Sequence, residues 1–189
     1  VGTPIPGEIW NSGVISGVHS AIDVDNGLGA PTVINLTGGA VYGDILLSGT
    51  ESDVVNISGG DMDGTIDGTK GARDDTVNFI MSGNTVTFGG DILGVDLVFV
   101  DPGTLVLTGG IYDTNSLEVD AATRLVLGET ADANPDTYRQ HRTATLGFIA
   151  DPKGRHGQIT ADTVKLAGNL QIVLDPGEQA TCTFTNTVP

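Results

Sequence analysis

The sequence predicts an all-β protein, a right-handed parallel β-helix with about 20 residues per coil and an irregular C-terminal β cap. Short β-branched or Leu-rich segments such as TVINL, DVVNIS and TLVLT recur between Gly, Asp, Asn and Ser. This pattern is typical of short strands joined by tight turns. The apolar pairs of these segments also recur about every 20 residues through five repeats. The strands of a sandwich or barrel need not repeat at a fixed interval, whereas stacked coils align their inward residues in apolar columns.

Two interleaved ladders of apolar residues define the predicted coils. The first ladder of inward pairs is Ile34/Leu36, Val55/Ile57, Val77/Phe79, Leu97/Phe99 and Leu117/Val119. The second ladder is Ile45/Leu47, Ile66, Val86/Phe88, Leu105/Leu107 and Leu125/Leu127. Gly-Gly pairs that begin at Gly38, Gly59, Gly89 and Gly109 are expected between strands, because glycine readily adopts the positive φ of a corner. We therefore predict coils over residues 1–128, the cap over 129–177 and a terminal strand or tail over 178–189.

The segment GGDMDGTIDGTKGARDDTVNF, residues 59–79, allows two interpretations. Its alignment with residues 38–58 makes it one coil with glycine corners. Alternatively, Asp61, Asp63 and Asp67 could converge on one corner and bind calcium, which prefers six to eight oxygen ligands. Lys70 and Arg73 would oppose a cation there, and the segment is a single copy rather than a stacked repeat. We predict no metal site and no cofactor, and leave calcium at these three aspartates open.

Charge and hydropathy exclude several classes of partner. The chain has 24 acidic and 8 basic residues among 189, a formal net charge of −16, which disfavours nucleic acids and anionic membrane surfaces. No apolar run approaches the length of a membrane-spanning helix. The first residues, VGTPIPGEIW, lack the basic and apolar regions of a signal peptide. The single cysteine, Cys182, excludes an internal disulfide and a cysteine-based metal cluster.

No residue pattern predicts a catalytic site. The three histidines, His19, His141 and His156, are scattered in expected loops, and basic residues are sparse in the coils. The pair Asp74/Asp75 is expected at a turn as solvated turn chemistry rather than as an acid/base couple. Motifs of serine hydrolases, zinc proteases and phosphate-binding loops are missing from the sequence. We expect a protein that is not an enzyme.

The segment NPDTYRQHR is the most basic part of this acidic chain. Asn134 before Pro135 could cap a short helical turn in a surface loop. The turn would bring together Tyr138, Arg139, His141 and Arg142. A contact with an anionic partner or with the outer-membrane surface is the alternative to a plain loop.

The C-terminal third resembles the end of the passenger domain of Gram-negative type V autotransporters. The resemblance is carried by Leu146, Phe148, Pro152, Gly157, Gln158, Ile159, Leu166, Gly168, Leu170 and Val173. In that family this region closes the β-helix and acts as an autochaperone. The residues expected to cover the open end of the solenoid are Leu146, Phe148, Ile149, Ile159, Val164, Leu166, Leu170 and Ile172. The tail CTFTN resembles instead the closing strands of bacterial Ig-like repeat modules, with Cys182 and Phe184 on one face.

The resemblance implies a non-enzymatic passenger, secreted or displayed on the bacterial cell surface, that serves as an adhesin or display scaffold. Its translocator β-barrel is expected outside this chain, and its host or cell-surface ligand and any self-association stay open. A carbohydrate-active or carbohydrate-binding β-helix protein is the alternative, since that fold includes polysaccharide lyases and hydrolases. The second function requires carboxylates gathered with basic partners in a cleft along one face.

Overall fold

The computed structural model describes residues 7–24, 30–69, 74–151 and 153–174. These residues form a parallel β-solenoid of about 7 turns with roughly 21 residues per coil, and no helix occurs among them. The predicted all-β fold with stacked coils is therefore confirmed. The predictions for Lys70, Arg73, Pro152, Cys182 and Phe184 concern residues outside these ranges.

Seventeen strands occur in the described part of the chain. In order they are β1 (Gly7–Asn11), β2 (Val14–Asp23), β3 (Thr32–Leu46), β4 (Val54–Asp63), β5 (Thr65–Asp67), β6 (Thr76–Phe79), β7 (Thr85–Phe88), β8 (Asp91–Leu93) and β9 (Leu97–Val100). They continue with β10 (Thr104–Leu107), β11 (Ile111–Val119), β12 (Arg124–Leu127), β13 (Asp132–Gln140), β14 (Thr145–Ala150), β15 (Gln158–Ile159), β16 (Thr163–Lys165) and β17 (Asn169–Leu174). All pairings between these strands are parallel.

Each central coil crosses three faces of the solenoid. The first face stacks β1, the starts of β3 and β4, β6, β9, the end of β11, the end of β13 and β16. The second face is the five-stranded sheet β7, β10, β12, β14 and β17. The third face stacks the end of β3, β5, β8, the starts of β11 and β13, and β15. Long strands such as β11 bend at a corner and contribute to two faces.

Inward side chains of the first face form one continuous column. Its members are Ile34, Val55, Val77, Val98, Leu117 and Tyr138, at intervals of 21, 22, 21, 19 and 21 residues. The predicted inward pair Leu97/Phe99 is wrong, because Val98 and Val100 are fully buried while Leu97 and Phe99 are half-buried and face outward. Because every residue of LVFV is apolar, alternation of apolar and polar residues does not show which two face inward. The pairing of the buried Phe79 with Val100 determines that Val98 and Val100 do so.

The second predicted ladder combines two different faces, and that interpretation is wrong. Ile45 and Ile66 belong to the third face, where Ile66 pairs with Ile92 and Ile92 with Ile111. Val86/Phe88, Leu105/Leu107, Leu125/Leu127 and Leu146/Phe148 stack on the second face. Each coil of about 21 residues has inward-facing residues on three faces of the solenoid. A prediction with only two ladders therefore assigns the inward residues of two faces to one ladder.

Glycines mark the corners, although their relation to the strands varies. The pairs at Gly89 and Gly109 lie between strands as predicted, whereas those at Gly38 and Gly59 lie inside the bent strands β3 and β4. Gly39 and Gly60 have φ of 72° and 91°, which favours glycine at both corners. A Cβ on Gly39 would lie 1.8 Å from the carbonyl oxygen of Gly13 in the coil below. Close stacking of backbones at this corner therefore requires glycine.

The predicted cap region continues the stacking to the last described strand. Val164 pairs with Tyr138 on the first face, and Leu170 pairs with Leu146 on the second. Tyr138 and Leu146 are buried under this layer, at 1% and 5% exposure. Val164, Leu166 and Leu170 are themselves 55%, 54% and 49% exposed. The final coil thus buries the coil before it and presents apolar side chains at the end of the described solenoid.

Candidate ligand-binding groove

Three asparagines form a hydrogen-bonded ladder on the outer side of the first face. The Asn56 amide donates to Asn35 Oδ1 at 2.9 Å, and the Asn78 amide donates to Asn56 Oδ1 at 3.0 Å. Asn35 in turn donates to Glu8 Oε1 at 3.4 Å. Identical amides stack in this way because each coil places the same position about 4.8 Å above the last one. The ladder thus links asparagine side chains on three successive coils.

The same outer column changes its chemistry in the next coils. Phe99 is the Cα partner of Asn78, and Glu118, Arg139 and Lys165 follow in register. Phe99 has no amide to continue the ladder. The column therefore passes from paired amides to an aromatic ring followed by charged side chains.

A surface groove of about 440 Å³ lies where the asparagine ladder ends. It is lined by Phe99, Glu118, Val119, Asp120, Arg139, Gln140, His141 and Arg142. Val119 and Gln140 are buried and form the part of the lining that belongs to the core. The groove thus combines an aromatic ring with both signs of charge on three successive coils.

The charges of the groove are only partly paired. Arg139 Nη1 lies 3.4 Å from Glu118 Oε1, and both side chains are accessible, at 55% and 31% exposure. Pairs of this kind contribute little to stability because water screens them. Arg142 is exposed and has no ion pair among the described residues. His141 Nδ1 lies 3.0 Å from Thr143 Oγ1. Arg142 is thus free to meet an anionic group.

The predicted helical turn in NPDTYRQHR is wrong, because the segment lies in strand β13 and the residues after it. Strand alternation directs Tyr138 inward and Arg139 outward. Tyr138 is 1% exposed and donates its hydroxyl to Gln140 Oε1 at 2.9 Å, and burial raises the pKa of this phenol. Tyr138 therefore belongs to the core, and only Arg139, His141 and Arg142 of the predicted patch line the groove.

The three aspartates considered for calcium do not converge. Asp61 and Asp63 are exposed on β4, and Asp67 Oδ1 accepts hydrogen bonds from Thr69 N at 2.9 Å and Thr69 Oγ1 at 2.6 Å. Across the described ranges, no three His, Cys, Asp or Glu side chains are grouped so that they could hold a metal ion. The described geometry therefore does not support the calcium alternative.

The histidines are separated in space, and one of them is not in a loop. His19 lies in strand β2 and His141 lines the groove. His156 lies in the turn after β14, where its ring packs edge-on against Phe148 with centroids 6.1 Å apart. Asp151 stabilises that turn by accepting hydrogen bonds from Lys153 N, Arg155 N and Arg155 Nε at 2.9, 2.7 and 2.7 Å.

Asp75 is the chief residue whose role the sequence interpretation missed. Asp74 is exposed as expected, but Asp75 is fully buried, at 0% exposure, so the expectation of a solvated turn pair is wrong for it. Asp75 lies in a column with Asp53 and Asp96, in which the backbone N–H of one aspartate donates to the carboxylate of the next. The spacing of 22 and 21 residues between these aspartates equals the coil period and could have revealed the column.

A comparison with protein-family models, curated proteins and solved structures gives no match to this chain. The fold assignment therefore stands on the stacked pairing of the strands. Among the described residues there is no helix with the length and apolar character needed to span a membrane.

Proposed function

We propose that this chain is a non-enzymatic scaffold, part of a secreted or surface-displayed autotransporter passenger, whose outer faces present binding surface. The proposal is supported by the division of labour within each coil. Inward columns are apolar and repeat from coil to coil, whereas the outward column changes from asparagine at Asn78 to Phe99 and then Glu118. A solenoid of this kind offers long accessible faces that can change without loss of the core.

The proposed binding site is the groove on the first face, and its ligand is an anionic group with an apolar part. The observation that carries this assignment is the exposed side chain of Arg142, which has no ion pair with a described residue, beside Arg139 and the ring of Phe99. Arginine binds carboxylates through two parallel hydrogen bonds, and an aromatic ring can pack against the apolar face of a sugar. A carboxylate-bearing oligosaccharide on a cell surface fits these groups.

Binding of sialyllactose, measured by calorimetry at physiological salt, tests the site. The substitution Arg142→Ala should weaken binding by about tenfold, the effect of one lost charged hydrogen bond. Arg124→Ala is the matched control, because Arg124 carries the same charge on the second face, where it donates to Gln171 Oε1 at 3.2 and 3.1 Å. Equal binding of sialyllactose and neutral lactose, or equal effects of the two substitutions, would remove the anionic-ligand assignment.

We further assign the C-terminal coils a role in folding. They cover Tyr138 and Leu146, which would otherwise end the apolar columns of the first and second faces. Gln140 also ties the last two coils together, since its amide donates to the carbonyl oxygens of Ala144 and Asn169, each at 3.2 Å, and to that of Ala167. This connection supports an early-forming C-terminal unit on which preceding coils could stack.

A carbohydrate-active enzyme is the alternative function. The groove contains two carboxylates, Glu118 and Asp120, beside His141, a combination of groups that acid/base chemistry on a glycan would use. Incubation with polygalacturonate and measurement of new reducing ends tests this alternative. Cleavage that is abolished by Glu118→Gln would favour the enzyme over the display scaffold, whereas no product at any pH from about 4 to about 9 would reject it for this substrate class.

A further inference from the structure

A column of three aspartates runs along the corner before the first face. Asp53 N donates to Asp75 Oδ1 at 2.7 Å, and Asp75 N donates to Asp96 Oδ2 at 3.1 Å. The carboxylates of Asp75 and Asp96 thus each accept a hydrogen bond from the backbone of the aspartate one coil earlier. The carbonyl oxygens of the column also accept hydrogen bonds from the following coil, as in Thr76 N to Asp53 O at 2.9 Å and Asp96 N to Asp75 O at 3.1 Å. Three coils are joined at this corner.

The central aspartate, Asp75, differs from its two neighbours in the hydrogen bonding of one carboxylate oxygen. Asp53 uses both oxygens, accepting from Thr32 N and Ser48 N, each at 2.7 Å. Asp96 also uses both, since Asn115 Nδ2 donates to Oδ1 at 2.6 Å. Asp75 Oδ2 is buried and accepts no hydrogen bond from the residues that the structure describes. Asp75 is therefore the member of the column with an unsatisfied, solvent-inaccessible oxygen.

The turn before each aspartate explains the difference. In the coil of Asp53, the backbone N–H of Ser48 turns toward the aspartate and supplies the second donor. In the next coil, Thr69 follows Asp67 as Ser48 follows Leu46, since Asp67 pairs with Leu46. Thr69 N donates to Asp67 Oδ1 instead, which leaves Asp75 Oδ2 without that donor.

The surroundings of Asp75 Oδ2 are closely packed. A Cβ added to Gly68 would lie 3.1 Å from this oxygen and 3.1 Å from Val95 Cγ1. The oxygen therefore faces the Gly68 backbone near the buried side chain of Val95. An anion with one oxygen in such surroundings loses hydration without compensation.

The charged groups that act on Asp75 are carboxylates, and their repulsion also raises its pKa. Asp53 and Asp96 face it from the adjacent coils, Asp74 precedes it, and no described base contacts it. Burial is the largest cause, and together with repulsion by these carboxylates it raises the pKa of Asp75 to about 7, although the hydrogen bond from Asp53 N opposes the rise. The uncharged acid is thus the form that the folded corner accommodates.

We propose that Asp75 is a proton-operated lock of the solenoid, which holds the three coils together when its carboxyl group is protonated and weakens their stacking when it ionises. The unfolded chain has the ordinary pKa of 3.8, below that of the folded state. The stabilisation is therefore complete below about pH 4, falls as pH rises and is lost once pH passes about 7. Acidic surroundings tighten the coil stack at this corner.

Urea unfolding of the full chain between about pH 4 and about pH 8 tests the lock. We expect the unfolding constant of the wild-type chain, relative to that of Asp75→Asn, to rise about tenfold per pH unit between about pH 4 and pH 7 and then to level off. The amide that this substitution introduces is uncharged at every pH in the range and keeps an acceptor for Asp53 N. Asp74→Asn is the matched control, since it removes an exposed charge that is the last of the causes raising the pKa of Asp75, and it should keep the same kind of decline in stability between about pH 4 and pH 7. Parallel curves for wild type and Asp75→Asn would overturn the proposal.

Carbon NMR titration of the Asp75 carboxyl group in the wild-type chain keeps the test independent of how well the variant folds. A midpoint near 7 supports the lock, and a midpoint near the ordinary 3.8 overturns it.

The double substitution Lys70→Ala/Arg73→Ala removes the two basic residues that are nearest to Asp75 in sequence, and the same NMR titration is then repeated. The midpoint should stay unchanged, whereas a marked rise would show that Asp75 is an anion paired with one of these bases and would also overturn the proposal.

Discussion

The outer column of the first face differs sharply between its two halves. In the N-terminal half, Asn35, Asn56 and Asn78 pair with one another, whereas Phe99, Glu118 and Arg139 line an open groove in the C-terminal half. Charge divides the chain in a similar way. Before Arg124 there are 2 basic and 17 acidic residues, and from Arg124 onward there are 6 basic and 7 acidic residues.

The inward column of the same strands shows no such division. Val55 and Val77 in the asparagine half and Val98 and Leu117 in the groove half are all fully buried. A parallel solenoid needs this apolar continuity because each coil buries only its neighbours. Stacking thus restricts the inward residues strongly and the outward residues weakly. A ligand-binding site can therefore lie where the outward ladder of asparagines ends.

The largest effect is expected from removing the C-terminal coils. A chain that ends at Leu127 loses the strands that cover Leu117, Leu125 and Leu127, and it should lose cooperative unfolding and aggregate. A chain that begins at Ala30 loses the two N-terminal strands and serves as the control, because it should retain a cooperative transition. Circular dichroism during urea unfolding, with size-exclusion chromatography, measures both. If the chain ending at Leu127 folds as well as the whole protein, the folding role of the C-terminal region fails.

Inward and outward phenylalanines should differ in their contribution to stability. Phe79 is fully buried and packs edge-on against Phe88 with ring centroids 5.3 Å apart. Phe79→Ala should lower the free energy of unfolding by about 3–5 kcal/mol. Phe99→Ala, on the outer side of the adjacent coil, should cost less than about 1 kcal/mol and instead weaken ligand binding. Chemical denaturation of both variants measures the difference, and equal losses of stability would contradict the assignment of Phe99 to the outer side.

The asparagine ladder should be more sensitive than the charged pair in the same column. Asn56→Ala leaves Asn35 Oδ1 and the Asn78 amide without their partner, and it should cost about 1–2 kcal/mol. Denaturation at high and low salt should give the same loss, because the ladder carries no charge. A cost near zero would show that water replaces the ladder without penalty.

The smallest effect is expected at Arg139. Its pair with Glu118 is accessible to water, so Arg139→Ala should change the free energy of unfolding by about 0.5 kcal/mol or less. The measurement is thermal unfolding at low and moderate ionic strength. A loss comparable to that of Asn56→Ala would mean that the groove half is stabilised through its charges and that the contrast between the halves is weaker than proposed.

Sequence reasoning recovered the coil period and most inward residues, and its errors have a common cause. Leu97 and Phe99 were placed inward because LVFV is apolar throughout, and the register of Val98 against Val77 depends on the neighbouring coil. The sequence indicates a basic patch that includes the groove residues Arg139, His141 and Arg142, but a helical turn would add Tyr138 to it, whereas the observed strand directs Tyr138 into the core. Asp75 was missed because its burial depends on Gly68 and Val95, which lie outside its own turn.

The stacked parallel solenoid follows from the amino-acid sequence alone, because the repeat of apolar residues directly reflects which side chains must avoid water in every coil. The strong acidity and the concentration of basic residues toward the C-terminal end are likewise plain in the sequence. The phase of individual strands, the end of the asparagine ladder at the groove and the unsatisfied oxygen of Asp75 emerge in the folded chain. These features depend on contacts between residues about one coil apart, and such contacts exist only after the coils have stacked.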